Sequence, residues 1–243
     1  MPASLYEPTI TKRNLPHLHQ ATIIYSIIEI RTNHLVITKK ILYFAKNEQT
    51  FSIMQILKDD IRRKIIHTAT QLFYIQGFEK TSTRQIALEL NMSVSNLYKY
   101  FKNKEDIFDD IIKGYYEKYR IDFSKFITHE NKDSFDTESN QFLANVIFES
   151  IKHNQVKFVL LMDKSKGTKY ASFKDEIMTN LEKHILKGIH ESNKDEYIIK
   201  IFVRNFFYGI VEIAKNYEND DWAFKNICLL VQYHMTGISV LYK

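Results

Sequence analysis

Ser93, Ser95, Asn96, Tyr98, Lys99 and Tyr100 lie within two helical turns, and every one of them can donate a hydrogen bond. Leu97 and Phe101 stand among them four residues apart, the spacing that turns two apolar side chains toward the same interior face. A short helix built this way anchors itself with two residues and shows donors on its other side. Lys102 and Lys104 extend positive charge beyond it, and a helix beginning at Lys104 adds its own unpaired backbone N–H groups. Donors and cations in that order suit the phosphates and base edges of duplex DNA.

The flanking residues supply what such a helix needs to be held. Ile61, Ile65, Ile66, Ala69, Leu72 and Phe73 share one face of a preceding helix, with Arg62, Arg63 and Lys64 outside it as a solvated face. Gly77 stands where that helix should stop. Ser82-Thr83-Arg84-Gln85 is a capping box that opens a short helix with Ile86, Ala87 and Leu90 inward. Asn91 tolerates the left-handed turn that follows. Ser93 then caps a helix over Val94–Phe101, and Asn103 caps a long one carrying Glu105 and Asp106 in its first turn. Two short capped helices joined by a tight turn predict a helix-turn-helix, whose second helix enters the major groove.

Composition points the same way. Only 6 glycines and 3 prolines occur in 243 residues, and all three prolines (Pro2, Pro8 and Pro16) precede residue 17. Turn-rich β folds and Gly-rich phosphate loops are hard to build from such a chain, so the expected fold is all-α. The single cysteine, Cys228, excludes an internal disulfide and suits a reducing cytoplasm. It reads as a small buried hydrophobe. No apolar run reaches the ~20 residues of a membrane span, and Ala21–Ile28 lacks a cleavage site. Residues 1–57 carry 6 basic and 3 acidic side chains, residues 58–104 carry 9 and 4, and residues 105–243 carry 19 and 22. The basic excess is densest in the helix-turn-helix segment, where a polyanion partner is expected.

Five further helices are expected over about 137–153, 155–163, 170–192, 195–217 and 221–242, with loops at Glu130–Asp136 and Lys164–Lys169. The last two are apolar on more than one face, and Gly209, Ala214, Gly237 and Ser239 would allow close approach. Residues 1–53 do not fit this pattern. Ile23–Ile30 and Leu35–Phe44 are β-branched and aromatic and read as a hairpin. Met54 stands just before the first periodic helix, so one expectation is that translation begins there; a genuine accessory arm is the alternative. The expected division is a 1–53 extension, a 54–104 helix-turn-helix domain and a 105–243 ligand-binding and dimerisation domain.

The run from Thr81 to Ile107 resembles the signature of the tetracycline-repressor (TetR/AcrR) family. Ile86-Ala87, Leu97-Tyr98, Phe101 and Lys104 keep the family's spacing, while Asn91-Met92 replace its usual Gly-Val. The resemblance covers roughly residues 58–105. It implies a nine-helix, Ω-shaped homodimer with three N-terminal helices on DNA, a ligand pocket in the following helices, and a four-helix bundle from the last two helices of each subunit. Carried over by position, it places Thr83 and Tyr98 on phosphate. Arg84 and the exposed Val94, Ser95, Asn96, Lys99 and Tyr100 fall on bases or flanking backbone, and Lys104 on phosphate.

The richness in Phe and Tyr suggests an apolar or aromatic effector, with Tyr115, Phe148, Phe158, Met162 and Phe206 as candidate contacts. No nucleophile elbow, zinc-protease pair, phosphate loop or Glu-x-x-His repeat is present in the sequence. Neither catalysis, a cofactor nor a metal is expected. His17 and His19 lack a carboxylate or thiolate partner and read as part of a free tail, and His184 and His190 as helix-surface residues. The expected protein is a cytoplasmic DNA-binding regulator released from a near-palindromic operator by a small molecule. A regulator answering to a protein partner, or a helical ligand-binding or catalytic protein with a vestigial DNA domain, are the alternatives. Lys104→Ala is expected to weaken DNA binding and lower its salt slope by about one unit.

Overall fold

The computed structural model describes residues 48–128, 136–189 and 195–242. The hairpin expected before Met54, His17, His19, His190 and most of the Glu130–Asp136 loop lie outside the described residues. The chain divides into two compact units, residues 1–58 and 59–243, and the account below is of the second. Among the described residues the secondary structure is entirely helical, and no helix is long and apolar enough to cross a membrane.

Helix α1 (Glu48–Gln76) begins ahead of Met54. From Asp59 on it follows the sequence period, with Ile65, Ala69 and Phe73 fully buried and Ile61, Ile66 and Leu72 packed beside them. Gly77 ends it with φ +84°, donating its N–H to the Phe73 carbonyl at 2.9 Å. Helix α2 (Thr83–Glu89) opens on the expected capping box. The Ser82 hydroxyl accepts the Gln85 N–H, and Gln85 Oε1 accepts the Ser82 N–H at 2.8 Å. Asn91 takes φ +50°, so the chain reverses and Met92 N–H returns to the Ala87 carbonyl at 2.9 Å.

Helix α3 is shorter than the expected Val94–Phe101. It spans Val94–Leu97, with Ser93 as the side-chain cap on Asn96 N–H. Beyond it the bonding tightens: Lys99 N–H reaches the Asn96 carbonyl and Tyr100 N–H the Leu97 carbonyl, both three residues back. Leu97 and Phe101 are buried as their spacing requires. Helix α4 (Lys104–Thr128) starts with Asn103 Oδ1 accepting the Asp106 N–H at 2.7 Å.

Helices α5 (Thr137–Ile151), α6 (Gln155–Asp163), α7 (Phe173–Gly188), α8 (Glu196–Lys215) and α9 (Asp220–Ser239) follow, with a closing 3-10 turn at Val240–Tyr242. Phe158 to Met162 on α6 are all buried, so this stretch of the helix has neighbours on every side, while Val156, Lys157 and Asp163 at its ends are exposed. Helix α7 starts three residues later than expected. Linked turns carry the 164–169 loop on to Phe173, whose N–H bonds the Tyr170 carbonyl, and Gly167 takes φ +87°. Helices α8 and α9 pack against one another, and a Cβ at Gly209 would stand 2.9 Å from Leu230 Cδ2, so a larger residue there would displace the tip of that side chain. Gly237 has no heavy atom within 4 Å of such a Cβ, and no close approach explains it. Cys228 is half-buried rather than sealed, and burial pushes its thiol pKa up.

The left-handed Asn91 gives a local test of this arrangement. Asn91→Gly should stabilise the chain by up to about 1 kcal/mol, and Asn91→Val should cost about 1–2 kcal/mol. Urea unfolding of the two variants reads the difference.

Candidate nucleic-acid interface and interior cavity

The outward side of α3 is narrower than the sequence suggests. Ser95, Tyr98 and Lys99 are exposed, as is Arg84 on α2, while Thr83 and Asn96 are half-buried. Val94 and Tyr100, expected outside, instead pack partly against the core. The shift has a local cause: the tightened bonding after Leu97 rotates Tyr100 inward, and burial pushes its hydroxyl pKa up. The Thr83 and Tyr98 hydroxyls meet at 3.3 Å, which joins the first turn of α2 to the residue ending α3. The sequence predicted both positions but not their contact.

Two cations turn inward. Lys104 Nζ donates to the carbonyls of Phe78 and Thr81, each at 2.8 Å, and stands 4.0 Å from the centre of the Phe78 ring. Its ammonium therefore holds the α1–α2 loop rather than reaching outward, which differs from the outward placement that its expected role on phosphate supposes. Desolvation draws its pKa below the usual lysine value. Arg62 likewise departs from a solvated face. Its Nη1 donates to the Tyr100 carbonyl at 3.2 Å, its Nη2 to Asp110 Oδ1 at 2.7 Å, and the guanidinium lies 4.3 Å from the centre of the Phe101 ring. One side chain of α1 thus bridges the end of the α3 segment to the second turn of α4. Arg63 pairs with Asp60 on its own helix, and Lys64 stays exposed.

The same α1–α2 loop is gripped from the other side. Phe78 N–H donates to the Lys164 carbonyl at 3.0 Å, just past α6, and Lys166 pairs with Glu79 at 3.0 Å. Phe78, Phe73 and Phe108 form a triangle of rings with centroids 5.2–5.5 Å apart. Asp109 on α4 accepts from Tyr170 and Lys169. Burial opposes ionisation of its carboxyl, but these two partners hold the pKa below the usual carboxylate range.

Further along α4 the helix forms one wall of a cavity of about 580 Å³, completed by α5, α6, α7 and α8. Of the five candidate contacts, Tyr115, Phe158 and Phe206 line it; Phe148 and Met162 do not. Phe148 instead meets Phe224 of α9 edge-on at 5.2 Å, and Met162 is sealed in the core. Tyr119, Phe207, Ile177 and Leu181 were missed. Only Tyr119, one turn beyond Tyr115, carried a usable sequence signal. The Tyr115 hydroxyl donates to the Ser150 carbonyl at 2.8 Å, tying α4 to α5. Burial raises the pKa of both Tyr115 and Tyr119, so both stay un-ionised. Among the described residues no three His, Cys, Asp or Glu side chains gather as a metal site.

The family model "Bacterial regulatory proteins, tetR family" matches residues 65–111, from the middle of α1 through the start of α4. The icaADBC biofilm-operon negative transcriptional regulator IcaR of Staphylococcus epidermidis is 23% identical over 188 residues, covering 70% of this chain and 99% of IcaR. The Staphylococcus aureus IcaR (strain Newman) is 24% identical over 189 residues, with the same coverage. Among solved structures, the ketosteroid transcriptional regulator KstR2 of Mycobacterium tuberculosis aligns with TM-score 0.49 at 17% identity, over 72% of this chain and 93% of that one.

The inward and outward lysines should separate experimentally. Lys104→Ala removes two charge-assisted bonds and should cost about 2 kcal/mol in urea unfolding. The salt slope of its duplex-DNA binding should stay unchanged. Lys99→Ala should leave stability within about 0.5 kcal/mol and lower that slope by about one unit.

Proposed function

We propose that the chain, whose residues 65–111 match the tetR family of bacterial regulatory proteins, is a transcriptional repressor of that family that a small, largely apolar molecule releases from a near-palindromic operator. One observation carries the reading: the same helix, α4, holds the α1–α2 loop through Lys104, pairs with Arg62 of α1 through Asp110, and walls the cavity through Tyr115. A helix transmits a displacement along its axis far better than a loop does, so occupancy of the cavity has a mechanical route to α3. The coupling also requires the effector to bind the DNA-free and DNA-bound arrangements with different affinity.

In this reading Ser95, Asn96 and Lys99 face bases or the backbone beside them, with Arg84 alongside and Val94 and Tyr100 at the edge. Thr83 and Tyr98, already in contact, address phosphate as one unit. Lys104 acts from behind by holding the α1–α2 loop. The sign of regulation follows the IcaR relatives, which are negative regulators. A second copy is expected on the outer faces of α8 and α9, where Tyr208, Leu229 and Tyr233 are exposed, with Val240 of the closing turn beside them in sequence. Two α3 helices would then sit about 34–36 Å apart in successive major grooves. The formed cavity favours a small molecule over a protein partner as the signal.

A binding selection on random duplex DNA with the full chain tests the reading. An enriched near-palindrome is the expected outcome, and the double variant Leu229→Asp/Tyr233→Asp should yield a folded monomer that binds it at least about tenfold more weakly. A folded, dimeric wild-type chain that enriches no sequence at low salt would overturn the DNA reading and leave a helical ligand-binding protein.

A further inference from the structure

The cavity's charges and hydrogen bonds restrict what can occupy it. Its deep wall is apolar: Phe158 and Ile177 are almost fully buried, and Leu181, Phe207 and Ile210 continue the surface. The charged lining residues among those described are Lys118, Lys125, Asp122 and Glu149, two of each sign, and all four are exposed at the rim. Lys118 and Asp122 already pair at 2.9 Å. The rim therefore has no net charge to favour an ion, and no charged group reaches the interior to compensate one.

The aromatic walls are fixed in place. Phe206 has one face stacked on His234, with centroids 4.0 Å apart and planes within 9°. Burial pushes that histidine down to about 4, so the stack is neutral at ordinary pH. Tyr119 is hemmed by the rings of Tyr115, Phe123, Phe158 and Phe173.

The two interior hydroxyls differ. That of Tyr115 is committed to the Ser150 carbonyl. The Tyr119 hydroxyl has no hydrogen-bond partner among the described residues, yet its oxygen is not closed off. Among those residues the sealed, unpartnered side-chain oxygen is Asn140 Oδ1. A desolvated donor on a residue that lines an apolar cavity is incompletely satisfied until something accepts from it.

We infer that the cavity takes an uncharged, ring-bearing apolar molecule with one acceptor oxygen, and that the Tyr119 hydroxyl donates to that oxygen. The inference rests on the effector reading above for its place in regulation, but not for its chemistry. Tyr119 is then a specificity-determining residue: it selects among apolar molecules of similar shape by what they offer its proton. The volume, about 580 Å³, matches pockets for drug-sized ligands.

Three naphthalenes of similar size test this by calorimetric titration of the full chain at pH 7: 2-acetylnaphthalene, 2-ethylnaphthalene and 2-naphthoate. The ketone should bind about fivefold tighter than the hydrocarbon, the effect of one neutral hydrogen bond. The carboxylate should bind at least about tenfold more weakly than the ketone. Tyr119→Phe should erase the difference between ketone and hydrocarbon while leaving hydrocarbon binding within about twofold. Ile210→Trp, which intrudes on the cavity, should weaken the binding of all bound probes and so locate it. Naphthoate binding as tightly as the ketone, a preference that survives Tyr119→Phe, or no binding of any probe below about 1 mM would each overturn the inference. Release of the selected operator is measured separately. Ligands that show this selectivity yet leave DNA bound would remove the effector reading and keep the ligand class.

Discussion

The Lys104 ammonium donates to two carbonyls of the α1–α2 loop, that of Thr81 and that of Phe78, which also accepts the Thr81 N–H at 3.2 Å. Much of the DNA-side half hangs on that arrangement. The loop sets where α2 begins, α2 sets the turn at Asn91, and the turn aims α3. Lys104 is also the first residue of α4, so the loop and the long helix cannot move independently without breaking two charge-assisted bonds. Arg62 closes the frame by joining α1 to the Tyr100 carbonyl and to Asp110. Three helices are thereby referred to the first two turns of a fourth.

Residues that act on near neighbours were legible in the sequence. The Ser82–Gln85 capping box, the Ser93 and Asn103 caps, the left-handed Asn91 and the inward pair Leu97 and Phe101 all depend on partners within five residues, where side-chain type and spacing determine geometry. Residues that act across the fold were not. Arg62 and Asp110 lie 48 positions apart, and Lys104 reaches back 26 positions to Phe78. Nothing in the local pattern distinguishes such a cation from a solvated one. Periodicity also fails where a helix tightens, because spacings of three and four put a residue on nearly the same face. The pattern therefore predicts an exposed Tyr100 and a helix from residue 170, where the chain instead runs through a series of turns before α7 starts at Phe173.

Cavity residues were the hardest to read. Phe148 and Phe158 are both aromatic residues on apolar helix faces, and only the packing of α9 against α5 decides that Phe148 fills an interface while Phe158 borders open space. Sequence composition announces that aromatic surface will be buried. It does not say where the core stops short of closing. The committed hydroxyl of Tyr115 and the open one of Tyr119, a single turn apart, show how finely that distinction falls.

The charge of the helix-turn-helix segment also needs the structure before it can be used. Nine basic side chains fall between residues 58 and 104, enough on paper to imply a steep salt dependence. Arg62 and Lys104 are turned to the protein's own carbonyls, and Arg63 is paired with Asp60. The cations exposed on α2, on the α3 turn and just after it are Arg84, Lys99 and Lys102. Lys58, Lys64 and Lys80 are exposed elsewhere in the segment, so six cations rather than nine remain for counterion release, fewer than its composition suggests. More of its affinity must then come from hydroxyls, amides and helix N-termini whose geometry has to fit the DNA. That division makes position matter more than charge, and so makes the exact aim of α3 the quantity that a ligand in the cavity can exploit through α4.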